Sequence, residues 1–236
     1  MAARKRARRA RGSLSGEEIL AGARELVERN GLDQLSMPGL ARELGSGVTS
    51  IYWYFRSKEE LLVALAAQVT DELYSRLPPV SEKPWTEEFE NYFVAFREEA
   101  KRAHVYLELF TRYPRFLFAQ TDLSQTVIPR LEQELSVLVR AGLTAGEAAE
   151  VYSVCSIYTR GFVLLEHDLV REEAGAGSRE RVDHLVASLD SAEFPTLTQL
   201  SSFDQSMALD DDRFRFGLRL VIEGVRSRFS VLRDIG

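Results

Sequence analysis

Cysteine is almost missing from this chain of 236 residues: Cys155 stands alone, which excludes an internal disulfide and any multi-cysteine metal site. A single thiol fits a reducing compartment. Histidine is nearly as scarce, with His104, His167 and His184 the full set and no pair at a metal-ligand spacing such as HExxH. There is no nucleophile elbow, paired-acid motif or phosphate-binding loop, so an enzyme reading has little chemistry to stand on. No run of about 18 apolar residues is present, and the basic start is followed by the polar GSLSGEEIL instead of the apolar segment of a signal peptide. The expectation is a cytoplasmic protein with no metal, no cofactor and no membrane span.

What is present is charge, unevenly placed. The net charge of −6 conceals 11 Lys+Arg against 8 Asp+Glu in residues 1–60, and 19 against 28 in the remainder. Much of the positive charge lies in Arg4, Lys5, Arg6, Arg8, Arg9 and Arg11. Such a run is commonly a solvated tail, but a polyanion such as DNA would gain from it through counterion release while the acidic remainder stays off the duplex. Residues 1–13 have no hydrophobic period and are expected to form a basic disordered arm that orders on DNA.

Helical spacing dominates from Ser15 onward, and an all-α fold follows. Ser15 and Glu18 have the spacing of a capping box that opens Ile19, Leu20, Ala23, Leu26 and Val27, with Asn30-Gly31 closing the helix. Ser36 caps a second helix with Pro38 in its first turn. Gly45-Ser46-Gly47 then makes a turn that needs a left-handed residue, and the chain restarts as Val48-Thr49-Ser50-Ile51-Tyr52-Trp53-Tyr54-Phe55. The pattern is helix-turn-helix. Ile51 and Phe55 share the inward face, leaving Thr49, Ser50, Tyr52 and Trp53 directed partly outward. Hydroxyls and aromatic edges suit phosphate, thymine-methyl and groove contacts, although Val48 to Phe55 holds no Arg, Asn or Gln for a bidentate base contact. The alternative is that Tyr52, Trp53 and Tyr54 are core. Ser57 and Glu60 form a second capping-box spacing, opening a helix that runs to about Leu77 before Pro78, Pro79 and Pro84.

Ser36 through Leu65 resembles the DNA-binding domain of the tetracycline-repressor (TetR-type) family. The resemblance rests on Leu40-Ala41 with Leu44-Gly45, on Ser50-Ile51-Tyr52-Trp53-Tyr54-Phe55, and on Ser57-Lys58-Glu59-Glu60-Leu61-Leu62. It implies that Thr49, Ser50, Tyr52, Trp53 and Lys58 touch DNA, the last on phosphate; Ser36 and Val48 are further candidates for the same surface. Ser46 and the pair Pro38-Gly39 depart from the family pattern, so the operator sequence does not carry over. The organisation expected is the arm at 1–13, a DNA-binding domain at 14–60, and a ligand-binding and dimerisation domain at 61–236.

The second part is again helical by period. Trp85, Phe89, Tyr92, Phe93, Phe96 and Ala100 mark one face; Ile128 to Val139 marks another helix; Thr144 and Glu147 have capping-box spacing before a long helix through Val151, Cys155, Tyr158, Phe162 and Leu169. The last helix carries Phe214, Leu218, Val221 and Val225 along one side, while Gly217 and Gly224 lie seven residues apart. Its sequence resembles the C-terminal domain of the tetracycline-repressor subclass. That likeness implies a two-fold four-helix interface, for which the candidates are Tyr152, Cys155, Gly161, Gly217, Leu218, Val221, Gly224 and Val225. Packing within one chain accounts for the glycines as well. It also implies a small-molecule site, with aromatic candidates Phe96, Phe110, Tyr113, Phe116, Tyr158 and Phe162 and polar candidates His104, Arg112 and His167. Thr111 to Phe116 contains no histidine of the kind that helps drug-binding members hold a magnesium chelate, so tetracycline is not the expected effector. The overall expectation is a homodimeric, ligand-responsive regulator on a palindromic double-stranded operator, a repressor released by a small apolar or amphipathic molecule. The alternatives are a constitutive or protein-controlled DNA-binding regulator and, third, an enzyme.

Overall fold

A computed structural model describes residues 14–81, 83–112, 126–173, 184–200 and 209–229. The arm with Arg4, Lys5, Arg6, Arg8, Arg9 and Arg11, and Tyr113 and Phe116, lie outside the described residues, as do the side chains of His104 and Arg112. Among the described residues the regular structure is helical. The helices are α1 (Gly16–Asn30), α2 (Met37–Glu43), α3 (Val48–Tyr54), α4 (Lys58–Ser75), α5 (Trp85–Arg102), α6 (His104–Arg112), α7 (Val127–Ala141), α8 (Ala145–Glu173) and α9 (Asp211–Arg228).

Their starts follow from side-chain caps. The Ser15 hydroxyl accepts from the Glu18 amide at 3.1 Å and the Glu18 carboxylate accepts from the Ser15 amide at 3.0 Å, a complete capping box. Thr144 and Glu147 repeat it ahead of α8. Before α4 the expected box is half formed. Ser57 accepts from the Glu60 amide, but the Glu60 carboxylate takes the Arg56 amide at 2.6 Å instead of that of Ser57. The α9 start is earlier than the apolar period indicates, because Asp210 caps the helix and Asp211 and Asp212 fill its first turn, where carboxylates suit the helix dipole.

By its contacts the chain divides into two compact units: residues 1–78 with 102–133, and 79–101 with 134–236. α4 and α6 thus group with the helix-turn-helix, whereas the sequence suggests a division at residue 60. In the first unit, Ile19, Ala23 and Val27 of α1, Leu40 and Ala41 of α2, Ile51 of α3, and Leu61, Leu62 and Leu65 of α4 are all buried, with α1 packed on α2 and α4, and α2 on α3. α6 packs on both α1 and α4. There the Glu108 carboxylate accepts the Leu32 amide at 2.6 Å, fastening α6 to the turn that follows α1.

The second unit is built on aromatic rings. Trp85, Phe89, Tyr92, Phe93 and Phe96 of α5 are buried as their spacing demands, with Cys155 and Phe162 of α8 and Phe214 and Leu218 of α9. Among them lies a charge. Arg97 is 2% exposed, and its Nε and Nη2 donate to the two oxygens of Glu166 at 2.9 and 2.5 Å while Nη1 donates to Asp211 at 2.7 Å. The rings of Phe162 and Phe214 lie 5.4 and 5.0 Å from its guanidinium carbon. A buried cation costs least when so paired and flanked.

Candidate nucleic-acid interface

The turn between α2 and α3 sets the site. Gly45 has φ +62°, its amide donates to the Arg42 carbonyl, and the Ser46 amide donates to the Ala41 carbonyl. These two bonds form a Schellman motif whose left-handed position glycine fills without strain. α3 then leaves on a new axis. Ile51 and Phe55 are buried as expected, so the helix is pinned by one side.

Its other side is open. Val48, Thr49 and Ser50 are exposed, Tyr52 is 45% exposed and Trp53 78%. Trp53 and Tyr52 therefore belong to the surface, resolving the alternative of core aromatics. Tyr54 is partly covered, and Trp53 meets its ring edge-on at a centroid distance of 4.7 Å. Ser36 uses its hydroxyl to accept the Gly39 amide at 3.2 Å, making it the cap of α2 while it remains exposed. Lys58 opens α4 and is half-buried. Two exposed cations beside the motif escape a reading confined to α3: Arg42 near the end of α2 and Arg56 between α3 and α4. Their nearness in sequence to the glycine turn and to Phe55 is the signal that points to them.

Of the residues expected to line an effector site, five are described with their side chains. Phe96, Tyr158, Phe162 and His167 belong to the second unit, and Phe110 to the first, where it stacks on Tyr106 at 6.1 Å. Tyr158 and Phe162 pack against Phe214 at 5.5 and 5.3 Å, and the Arg160 guanidinium lies 4.8 Å from the Phe96 ring centre. His167 is half-buried. A cavity of about 10 Å³ in the first unit, bounded by Arg24, Val69, Glu72, Ala103 and Tyr106 among others, touches none of these residues. It has room for about one water.

The residues expected at a two-fold interface fall on both the covered and the open sides of α8 and α9. Cys155, Leu218 and Val225 are buried under the chain's own side chains. Tyr152 shares a 3.0 Å hydroxyl contact with Tyr92, and Val221 is half-buried. Gly217 serves a close approach within the chain, since a Cβ there would stand 2.2 Å from the Tyr158 hydroxyl. Gly161 and Gly224 have open space where a Cβ would go. They lie with a different stripe: Val154, Ile157 and Leu165 of α8, and Phe216 and Leu220 of α9, each more than half exposed. Periodicity alone did not identify this stripe, because both faces of α8 carry apolar residues.

Comparison with known proteins agrees with this geometry. Residues 19–65 match the family model for bacterial regulatory proteins of the tetR family, and residues 77–229 match the tetracyclin repressor-like C-terminal domain. The HTH-type transcriptional repressor Rv1353c of Mycobacterium tuberculosis is 33% identical, with 93% of this chain and 83% of that protein covered. The class A tetracycline repressor protein from transposon 1721 of Escherichia coli is 25% identical, with 94% and 95% covered. Among solved structures, the TetR family protein ActR of Streptomyces coelicolor, in complex with actinorhodin, superposes with a TM-score of 0.71 at 24% identity, covering 92% of this chain and 98% of that one. BioQ with its double-stranded DNA operator gives 0.58 at 21% identity, covering 91% and 99%.

Proposed function

The chain belongs to the tetR family of bacterial regulatory proteins, and on that premise we propose that it is a homodimeric transcriptional repressor released from a palindromic operator by a small molecule. The observation that carries this reading is the outward face of α3, an exposed set of hydroxyls and aromatics held behind a fixed turn, with a family match continuing through residue 229. In the bound state Thr49, Ser50, Tyr52 and Trp53 enter the major groove, and Ser36, Lys58, Arg42, Arg56 and the basic arm meet phosphates. The exposed stripe on α8 and α9 pairs with its copy in a second chain. The dimer brings two α3 helices to an operator whose half-sites lie about 34 Å apart.

An apolar or amphipathic effector acts by binding better to the arrangement whose two α3 helices are wrongly spaced. A relative carries actinorhodin and others are named tetracycline repressors, which supports an effector with aromatic rings. The test is selection of bound fragments from genomic DNA, followed by titration of candidate compounds with and without the selected operator. An effector is expected to lower operator affinity, and the operator to lower effector affinity by the same factor. Equal affinity in both titrations would dismiss that compound as an effector. Failure to select any sequence would dismiss the function.

A further inference from the structure

The recognition helix lacks the side chains that most often name a base. Arg and Lys on guanine, and Asn and Gln on adenine, make the paired hydrogen bonds of direct readout. Val48–Tyr54 contains none of the four. What it places outward instead is an indole. By helical spacing Trp53 lies over Thr49 and Ser50, four and three residues before it, on the side away from Ile51. At 78% exposure it is far more open than Tyr52 or Tyr54, which flank it.

This indole has a ring beside it. Its ring meets Tyr54 edge-on, with planes at 82°, and Tyr54 in turn leans on the start of α1, 3.5 Å from where a Cβ on Gly16 would lie. The carbon face of this ring, as distinct from its Nε1–H donor, recognises what is apolar on a base edge. The major groove offers one such feature, the C5 methyl of thymine.

Building on the operator binding proposed above, we infer that Trp53 specifies the operator by contact with thymine methyl groups, assisted by the methyl of Thr49. At α3 each half-site is then distinguished by its thymines through apolar contact. The hydroxyls of Ser50 and Tyr52 hold the backbone.

The experiment uses the full-length protein and an operator selected by it. Each thymine of a half-site is replaced in turn by deoxyuridine, which removes the methyl and leaves every hydrogen-bonding group in place. Binding weakens about fourfold for each contacted methyl. In Trp53→Ala the penalty for the same replacements shrinks, with only the share owed to the Thr49 methyl left, and Trp53→Phe keeps more of the discrimination; both variants retain the wild-type thermal midpoint because the side chain is exposed. Equal binding of thymine and deoxyuridine operators at every position overturns methyl readout while operator binding itself stands. A penalty that survives unchanged in Trp53→Ala overturns the role of Trp53. If no DNA sequence is bound at all, the underlying repressor reading fails, and this inference with it.

Discussion

Gly217 and Tyr158 share one small space. The Tyr158 hydroxyl lies 3.1 Å from the Phe214 carbonyl oxygen and 3.3 Å from that of Arg213, and its ring stacks on Phe214, so it has little freedom to withdraw. A methyl at position 217 would stand 2.2 Å from that hydroxyl and 2.7 Å from the ring carbon bearing it. Alanine is the better helix former by roughly 1 kcal/mol, yet overpacking of a fixed ring costs about 1–3 kcal/mol. Gly217→Ala should therefore lower the thermal midpoint, and a raised midpoint would show that the ring moves freely. Cys155 gives a second expectation at this scale. Burial pushes its thiol up to about 12, so the reactive thiolate is scarce in the folded chain. At about pH 8 a disulfide reagent should leave it untouched until denaturant opens the protein; rapid labelling of the native state would contradict its placement in the core.

Two ion clusters join α5 to α9, and they make the second unit sensitive to acid. Arg97 reaches Asp211 at the first position of α9, while Glu90 of α5 accepts from Arg215 and Arg219 at 2.8 to 3.2 Å. The hydrogen bond from Arg97 holds the Asp211 carboxyl below its usual range. Hydrogen bonding from Arg219 does the same for Glu90, against the opposing effect of its burial. A carboxylate with a depressed folded-state pKa contributes stability above its unfolded value, near 4, and that contribution is lost as pH falls through the folded value. The denaturant midpoint should therefore be unaffected by these groups between about pH 5 and 8 and decline below about pH 4. In Glu90→Gln the midpoint should be lower at neutral pH and the acid decline shallower; an unchanged acid slope would remove Glu90 from the account. These clusters were not legible in the sequence, since Arg97 and Asp211 are 114 residues apart. A lone arginine in an aromatic run reads as solvent-facing. The helix starts were legible because a cap is local: Ser15, Ser36, Ser57 and Thr144 each bond an amide three residues ahead. Gly45 was legible for the same reason, as one turn needs one left-handed residue.

At the scale of the molecule, the resemblance and the glycine spacing lead to the expectation that α8 and α9 associate with a copy of themselves, and the packed chain covers some of the residues expected there while leaving others open. Val151, Cys155 and Phe162 line the covered side of α8, and Val154, Ile157 and Leu165 line the exposed side. Both sets have helical spacing, and only the packed chain distinguishes them. The exposed stripe continues across Phe216 and Leu220 of α9, and Gly161 and Gly224 in the same two helices would admit a neighbouring backbone closely. Substitution on this face separates assembly from folding. Ile157 and Leu220 are 66% and 58% exposed, so Ile157→Glu or Leu220→Glu removes little from the core of one chain. In a two-fold interface the introduced carboxylate is set near its own copy and desolvated. Sedimentation should then show a folded monomer with an unaltered far-ultraviolet helical signal. Its binding to a palindromic operator should collapse to the weak affinity of a single half-site, because the second contact no longer benefits from the first. A variant that stays dimeric, or a monomer that binds the full operator as tightly as the wild type, would show that this face does not align the two recognition helices.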